Sequence, residues 1–267
     1  MLKLNPVIKP VVETFQTVYY QTLMFANHPE SAINGLLVMG DAGTGKSHFV
    51  KKALRDSNVQ SNVEMLKGGT ITAASLYVKL YLNRGSHRIV VLDDVDLLGH
   101  PERNKIIPML LGAAEEGSNR LVSWNTAKKN GLMEEYDVPF EFKFNGNIIF
   151  ITNYTKPDIK AKAKQWANAF NSRFTPVECI FNHEQKYMYT KHLVENEKML
   201  SDNCQVHTYD DKNGYPQEVI EETMDFIDEN YQNFSDITPR VAVKVADTIH
   251  YNTDPVMKRV MLSNLVQ

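Results

Sequence analysis

The chain has 267 residues, of which 43% are hydrophobic, so it is long enough for one large domain or two smaller ones with an ordinary core. A formal net charge of -3 excludes a uniformly basic protein, and any contact with nucleic acid would have to come from a local patch or from patches summed over several subunits. The two cysteines, Cys179 and Cys204, are too few for a disulfide framework and predict reduced thiols.

The sequence carries no pattern of a targeting or membrane segment. The first residues, MLKLNPVIKPVV, lack a long apolar core followed by a small-residue cleavage site. No apolar run reaches the length of a membrane span. We therefore expect a cytoplasmic protein without membrane contact.

The first two thirds of the chain alternate between helical and strand patterns. Strands that are apolar throughout and alternate with helices indicate a parallel sheet covered on both faces, so this pattern predicts a doubly wound α/β domain. The predicted helices lie at residues 8–27, 46–56, 72–85 and 103–116, and the predicted strands at residues 35–40, 62–68, 88–94 and 147–153.

The pattern changes near residue 180. From there the sequence is helical in periodicity, is interrupted by the polar turn YDDKNGYP at residues 209–216, and contains no run typical of a buried strand. We predict an α/β base over residues 1–179 and a small helical lid domain over residues 180–267.

A glycine-rich loop follows the first predicted strand and fits the pattern G-x-x-x-x-G-K-[ST]. Missing side chains let backbone N–H groups approach a polyphosphate, and the following helix directs its positive end at the same phosphates. The lysine supplies a charge to the terminal phosphates, and the serine hydroxyl can ligate Mg²⁺. The loop therefore predicts a site for ATP and Mg²⁺ formed by Gly40, Asp41, Ala42, Gly43, Thr44, Gly45, Lys46 and Ser47.

Two acidic residues end the predicted strand RIVVLDD. Asp93 is the candidate for holding Mg²⁺, and Asp94 is the candidate for polarising the attacking water, because both lie at a strand end facing the nucleotide crevice. The alternative is that these acids cap the next helix, a task for which Asp96 is better placed.

Together these segments resemble the AAA+ ATPases. GDAGTGKS matches their Walker A motif, and VVLDD matches Walker B with Asp-Asp in place of the usual Asp-Glu, a pair known from the replication initiator and helicase loader branch. FITN matches sensor 1 and implies that Asn153 orients the lytic water. NAFNSRF and ITPRVAVKVAD resemble the arginine-finger and sensor 2 segments, which implies that Arg173 and Arg240 contact the nucleotide.

Both arginines have a simpler explanation as solvated surface charges. Arg240 follows a proline at a predicted helix start, where the helix dipole disfavours a cation, so a bound anion would offset an electrostatic cost there. For Arg173, the family resemblance implies that it acts on the nucleotide of a neighbouring subunit in a homo-oligomeric ring or spiral such as a hexamer.

The segment over residues 120–147 is longer than one helix and its turns require. Its ends are β-prone, which predicts a hairpin or two-stranded excursion before sensor 1, in the position of a hairpin that several AAA+ motors project into their pore. Lys128 and Lys129 are candidates for contacting DNA, and Trp124 either stacks on a base or packs at the root. The alternative is an edge excursion with two solvated lysines.

These motifs predict an oligomeric ATPase that couples ATP hydrolysis to DNA remodelling or translocation. The stretches KGGTITAASLYVKLY and SWN also resemble tailed-phage ATPases, which implies a setting in DNA replication, recombination or processing in the host cytoplasm. The rival hypothesis is an ATP-switched adaptor, such as a helicase loader, that binds a replication protein. A protein-unfolding ATPase would lack its usual aromatic pore loop, and a small-molecule kinase would leave the sensor motifs without a role.

Overall fold

The structure is a computed structural model that describes residues 4–117, 120–201 and 214–266. Cys204 and most of the polar turn at residues 209–216 lie outside the described residues. The described chain divides into two compact units. The α/β unit comprises Thr14–Asp41 and Lys46–Ile180, and the helical unit comprises the described residues up to Glu13, the loop tip Ala42–Gly45 and the described residues from Phe181 onward.

The described residues of the α/β unit form the strands β1 Gly35–Gly40, β2 Val63–Lys67, β3 Ile89–Asp93, β4 Leu121–Ser123, β5 Glu141–Lys143, β6 Asn147–Thr152 and β7 Thr175–Cys179. Five of them form one sheet in the order β2-β3-β6-β1-β7, and every pairing in this sheet is parallel. All residues of β1, β3 and β6 are buried, as expected for strands covered on both faces. This parallel sheet with flanking helices confirms the predicted fold class.

The edge strand β7 was not among the sequence-based predictions. It contains Pro176 and Glu178, which interrupt the apolar run that marked the other strands. Proline is tolerated on an edge strand because one side of that strand donates no ladder hydrogen bond. β7 pairs with β1 up to Cys179, so it ends beside the glycine loop.

The helices of the α/β unit connect the strands, and some of them begin at side-chain caps. Thr72 caps α3 (Ala73–Leu82) by accepting a hydrogen bond from the Ser75 N–H at 3.1 Å. Thr155 and Asp158 form a capping box at the start of α6 (Lys156–Lys162). The chain forms α1 Lys9–Asn27, α2 Lys46–Asp56, α3 Ala73–Leu82, α4 Arg103–Ala113, α5 Gly131–Glu135, α6 Lys156–Lys162 and α7 Ala167–Arg173.

The segment before β6 is a two-stranded excursion that carries a short helix. We call this whole segment, residues 120–147, the insertion. β4 and β5 pair antiparallel, and α5 lies between them in the chain. Its root is packed on α3: the Tyr77 ring lies 5.4 Å from that of Trp124 and 5.0 Å from that of Phe142, and the Tyr77 hydroxyl donates to the Pro139 carbonyl at 3.0 Å. Trp124 is only 7% exposed, so it occupies the root of the insertion.

The helical unit has its own apolar core. Its helices are α8 His183–Glu195, α9 Gln217–Asn230, α10 Pro239–Tyr251 and α11 Pro255–Leu265. Ile227, Ile237 and Val245 are fully buried where α10 packs on α9. No strand is assigned among the described residues from Phe181 onward, in agreement with the helical pattern of this region. None of the helices in the described ranges combines the length and apolarity needed to cross a membrane.

Candidate nucleotide site

The glycine loop runs from the end of β1 to the start of α2 with backbone angles that suit glycine. Gly40 has φ of +128°, and a Cβ placed there would lie 2.3 Å from the Cys179 carbonyl oxygen. Gly45 has φ of +117°. A side chain at Gly40 would therefore meet both a strained backbone and the neighbouring strand, which explains why the loop begins with glycine.

Lys46 is buried at the base of this loop with 5% of its surface exposed. Its ammonium donates to the carbonyl oxygens of Gly40 at 2.8 Å and Asp41 at 2.6 Å, and to Asn153 Oδ1 at 3.0 Å. A buried ammonium needs such acceptors because it loses its hydration. These bonds hold the charge where the loop turns.

Ser47, which follows Lys46 in α2, contacts Asp93 at the end of β3. The Ser47 hydroxyl donates to Asp93 Oδ1 at 2.5 Å. The second carboxylate oxygen of Asp93 lies 3.3 Å from the ammonium of Lys51, which stands one helical turn after Ser47. Asp93 is thus held between a hydroxyl and a cation.

Asp94 takes an unusual backbone conformation at the tip of β3. Its φ is +59°, and its N–H donates to the Ile151 carbonyl at 3.1 Å. Its exposed carboxylate accepts a hydrogen bond from Asn153 Nδ2 at 2.7 Å. A left-handed backbone at a residue other than glycine costs about 1 kcal/mol or more, and such strain is concentrated at functional sites. Asn153 therefore connects Asp94 to Lys46.

Asp96 does not cap the next helix, which contradicts the alternative of helix capping for this residue. Its Oδ1 accepts from the Gly99 N–H at 2.8 Å and from the Tyr154 hydroxyl at 3.0 Å. Helix α4 begins only after Glu102, beyond the reach of this turn. Burial and the bond to Asp96 raise the pKa of the Tyr154 hydroxyl.

Helix α2 is cationic where it leaves the loop. Burial, together with the nearby charges of Lys52, Arg55 and Lys51, lowers the pKa of His48 to about 4. His48 is therefore neutral at pH 7. Burial also raises the pKa of the Cys179 thiol to about 12, so this free cysteine stays protonated, in agreement with the predicted reduced thiol.

The two arginines that were predicted to contact the nucleotide lie in different units. Arg173 is in the last turn of α7, and its guanidinium lies 2.5 Å from Glu115 Oε2. Arg240 is the second residue of α10, at a helix start as the sequence predicted, and its side chain is exposed. Inside the helical unit, which includes the loop tip, a Cβ built on Gly43 would lie 3.0 Å from Thr238 Oγ1 and 3.6 Å from Arg240 Cβ.

Lys128 and Lys129 have contacts within the insertion. The Lys128 carbonyl accepts hydrogen bonds from Trp124 Nε1 at 3.3 Å and Thr126 Oγ1 at 2.8 Å, while its side chain is exposed. The Lys129 ammonium lies 5.7 Å from the centre of the Phe140 ring. These contacts do not join either lysine to the hydrogen-bonded residues at the strand ends.

Sequence reasoning missed two side chains of this site. Lys51 was recognisable from its spacing of four residues after Ser47, which places both on one helix face. Tyr154 directly follows Asn153, but its bond to Asp96 joins residues 58 apart and has no local signal.

The order of these motifs and the sheet edge at which they meet agree with the family resemblance described above. The chain resembles AAA+ ATPases. No family model matches it. A segment of 122 residues, 45% of this chain, is 34% identical to the "Uncharacterized 36.7 kDa protein in nrdC-mobD intergenic region" of Enterobacteria phage T4. The match spans 36% of the length of that phage protein.

Similar solved structures include domain III of the replication initiation protein DnaA from Thermotoga maritima, with a TM-score of 0.48, 14% identity and 99% of each chain covered. The Holliday junction branch migration motor RuvB of Thermotoga maritima has a TM-score of 0.46 and 9% identity over 96% of this chain and 69% of its own. NtrX from Brucella abortus, in complex with ATP, has a TM-score of 0.46 and 10% identity over 99% and 69%.

Proposed function

We propose that this chain is an AAA+ ATPase that binds ATP with Mg²⁺ at the carboxyl ends of β1, β3 and β6 and hydrolyses it. One observation carries the proposal: Lys46, Asn153 and Asp94 form a continuous hydrogen-bonded chain across these strand ends. Ser47 and Asp93, the chain neighbours of Lys46 and Asp94, form a second hydrogen-bonded pair. These residue types in this order are those that phosphoryl transfer requires.

The loop and its lysine bind the phosphates in this proposal. The backbone N–H groups of the loop and the start of α2 would surround the polyphosphate. Lys46 would exchange its bonds to the loop carbonyls for the β- and γ-phosphate oxygens, and the bound anion would replace the acceptors that it loses. Arg240 would meet the same phosphates from α10, where an anion offsets the poor placement of a cation in a first helical turn.

Ser47 and Asp93 fit the metal that accompanies ATP. Both supply oxygen ligands, and Mg²⁺ takes only one or two protein ligands when phosphate oxygens and waters complete its shell. A bound Mg²⁺ would neutralise charge that develops on the phosphates. Consistent with so few protein ligands, the described residues contain no group of three or more His, Cys, Asp or Glu side chains placed to hold a metal ion.

Asp94 is the residue that we assign to activating water. Its carboxylate is exposed at the crevice and keeps one oxygen for a water molecule while Asn153 Nδ2 holds the other. Asn153 would thereby orient the base through its Nδ2 while its Oδ1 accepts a hydrogen bond from Lys46. Proton acceptance by a positioned carboxylate accelerates such steps by roughly 10² to 10⁴.

The oligomeric and DNA-related parts of the proposal rest on the motifs. Arg173 would act on ATP held by a neighbouring subunit, and Lys128 and Lys129 would contact the phosphates of DNA. We infer a homo-oligomeric ring or spiral that remodels or moves along DNA in replication, recombination or processing. The partial similarity to a protein of phage T4 supports a phage setting, and hence the host cytoplasm.

Phosphate release measured with ATP and Mg²⁺ tests this proposal. We expect turnover that requires Mg²⁺ and that rises with single- or double-stranded DNA at low salt. The stimulation should fade at moderate salt, because contacts to the nucleic-acid backbone release counterions. Absence of ATP binding in calorimetry would overturn the assignment of the site.

An ATP-switched adaptor is the second candidate, and the Asp93-Asp94 pair favours it. Asp94 is one methylene shorter than the glutamate usual in Walker B, so it reaches less far toward a water molecule. An adaptor would bind ATP tightly, hydrolyse it slowly and bind a replication protein only in one nucleotide state. DNA-independent slow turnover together with nucleotide-dependent binding of that protein would favour this alternative.

A further inference from the structure

A cleft between α6 and α7 gathers positive charge in the α/β unit. Its volume is about 660 Å³, and its polar lining comes from Lys156, Lys160, Lys164, Asn168 and Asn171. The three lysines are spaced at four-residue intervals, so Lys156 and Lys160 lie on one face of α6 and Lys164 follows its end. We call this feature the basic cleft.

The charge of the basic cleft is only partly neutralised. Lys156 pairs with Glu178 Oε1 at 2.5 Å. Lys160 and Lys164 are exposed and make no hydrogen bond or ion pair with any residue that the structure describes. Asp158, the one acid in residues 154–173, accepts the N–H of Thr155 at 2.8 Å and its hydroxyl at 2.6 Å, so it caps its own helix.

The helix dipole explains only part of this arrangement. Cations are favoured in the last turn of α6, where Lys160 and Lys162 lie. Lys162, however, lies 5.1 Å from the centre of the Tyr154 ring and is absent from the cleft lining. Like charges at a spacing of four residues repel each other by a few tenths of a kcal/mol. An anion in the cleft would remove that cost for Lys156, Lys160 and Lys164 together.

We propose that the basic cleft binds the phosphodiester backbone of a nucleic acid, a site distinct from Lys128 and Lys129. Its cations are all lysines, which act as point charges and suit phosphates at varied angles, whereas recognition of carboxylates favours the planar fork of arginine. Asn168 and Asn171 add side-chain amides, which are frequent donors to phosphate oxygens. The contacts are therefore independent of base sequence.

The cleft stands close in sequence to the nucleotide site, and its role rests on the proposed function. Helix α6 begins three residues after Asn153, and Tyr154, which directly follows Asn153, contacts both Lys162 and Asp96. A strand bound in the cleft would lie against the helix that follows the sensor. This provides a direct route by which nucleic acid stimulates hydrolysis.

The test is the salt dependence of binding to a labelled oligothymidine, measured by fluorescence anisotropy without nucleotide. Lys160→Gln with Lys164→Gln should lower the salt slope by about 1.4, twice the value of about 0.7 expected for each lost contact to a single strand. Lys160→Arg with Lys164→Arg should keep the slope. The matched control is Lys9→Gln with Lys244→Gln, which removes two exposed lysines elsewhere and should also keep it.

Three outcomes would overturn the proposal. An unchanged slope in the glutamine pair would show that the cleft holds no phosphates. An arginine pair that binds as weakly as the glutamine pair would show that packing, not charge, is responsible. A glutamine pair that loses binding to a labelled polyglutamate but not to oligothymidine would assign the cleft to an acidic protein. The binding assay contains no nucleotide, and basal phosphate release is measured separately. A negative result for the basic cleft would therefore not contradict the proposed ATPase activity.

Discussion

The strand-end site and the insertion lie in the same α/β unit, yet they hold their charged side chains in opposite ways. At the strand ends, Lys46 is buried and bonded to three acceptors, and Asp93 lies between a hydroxyl and an ammonium. In the insertion, aromatic rings form the buried root, and Lys128 extends into solvent. The first region is organised by its charges and the second by its apolar packing.

This difference indicates which substitutions will alter the reaction and which will alter only the attraction of a charged ligand to the protein. A buried charge that shares acceptors with its neighbours has lost its hydration, and its removal disturbs every partner. An exposed lysine keeps its water and contributes mainly long-range attraction. Substitution of Lys46 should therefore have a much larger effect than substitution of Lys128.

Lys46→Ala should abolish turnover and weaken ATP binding by at least about a hundredfold. The change removes two or more charge-assisted hydrogen bonds to the phosphates, worth about 1.5 kcal/mol each. Isothermal titration calorimetry measures the loss. Lys52→Ala, on the same helix and facing the Tyr19 ring, is the matched control and should bind ATP normally. Near-normal affinity in Lys46→Ala would remove the loop from the site.

Arg173→Ala should bind ATP normally and lower turnover by roughly a thousandfold, as expected for an arginine supplied by a neighbouring subunit. The control is Glu115→Gln, which breaks the observed ion pair but keeps the guanidinium. Equal loss in both variants would mean that Arg173 serves only its own subunit by pairing with Glu115. Folding should survive either change, because partly exposed ion pairs contribute about 1 kcal/mol or less.

Mixing Arg173→Ala with Lys46→Ala sharpens this prediction. Neither protein alone should hydrolyse ATP, but a mixed oligomer contains interfaces where an intact loop faces an intact arginine. We expect partial activity that peaks at intermediate ratios. A mixture that stays inactive while native gels show mixed oligomers would contradict independent action across subunit interfaces.

Asp94→Asn should retain ATP and Mg²⁺ and lower turnover by about a hundredfold or more, because the amide accepts no proton from the attacking water. The Asn153 bond that holds this side chain is compatible with an amide oxygen, so binding should be unaffected. Asp96→Asn is the control, since the carboxylate there is engaged by Gly99 and Tyr154. Single-turnover phosphate release separates binding from chemistry. Surviving turnover in Asp94→Asn would assign the base elsewhere, with Asp96 the next candidate.

The contrast between the two regions also explains what the sequence could predict. The loop, Asp93, Asp94 and Asn153 follow apolar strands, and parallel strands end at one edge of a sheet, so their meeting follows from local patterns. The burial of Trp124 depends on Tyr77, which lies 47 residues earlier on α3, and no local pattern reports it. The Arg173–Glu115 pair is equally non-local. Edge strand β7 escaped prediction because Pro176 and Glu178 break its apolar run.

Acidification should destabilise the protein through His48. Its pKa is about 4 in the folded chain and near 6.5 in the unfolded chain, so between these values the unfolded chain binds a proton that the folded chain excludes. The contribution of His48 is fully present above pH 6.5 and is lost as the pH falls toward 4. From pH 6.5 to 5 the free energy of unfolding should drop by at most about 2 kcal/mol.

His48→Gln should flatten this dependence, because glutamine does not titrate. Urea unfolding at pH 7, 6 and 5 measures the free energy of unfolding for both proteins. His28→Gln, which replaces an exposed histidine elsewhere in the chain, is the control. If His48→Gln shows the same slope as the parent chain, the pH dependence comes from other groups.

Lys128→Ala with Lys129→Ala should have the smallest effect, since these lysines lie outside the strand-end network. Basal phosphate release should stay unchanged. If both lysines contact DNA, the salt slope of binding should fall by about 1.4 for single strands or about 1.8 for duplexes, because each contact contributes about 0.7 or 0.9. Lys143→Ala, an exposed lysine on β5 of the same insertion, is the control. An unchanged slope would leave Lys128 and Lys129 as solvated surface charges, and altered basal release would mean that the insertion helps to position Asn153, which follows it in the chain.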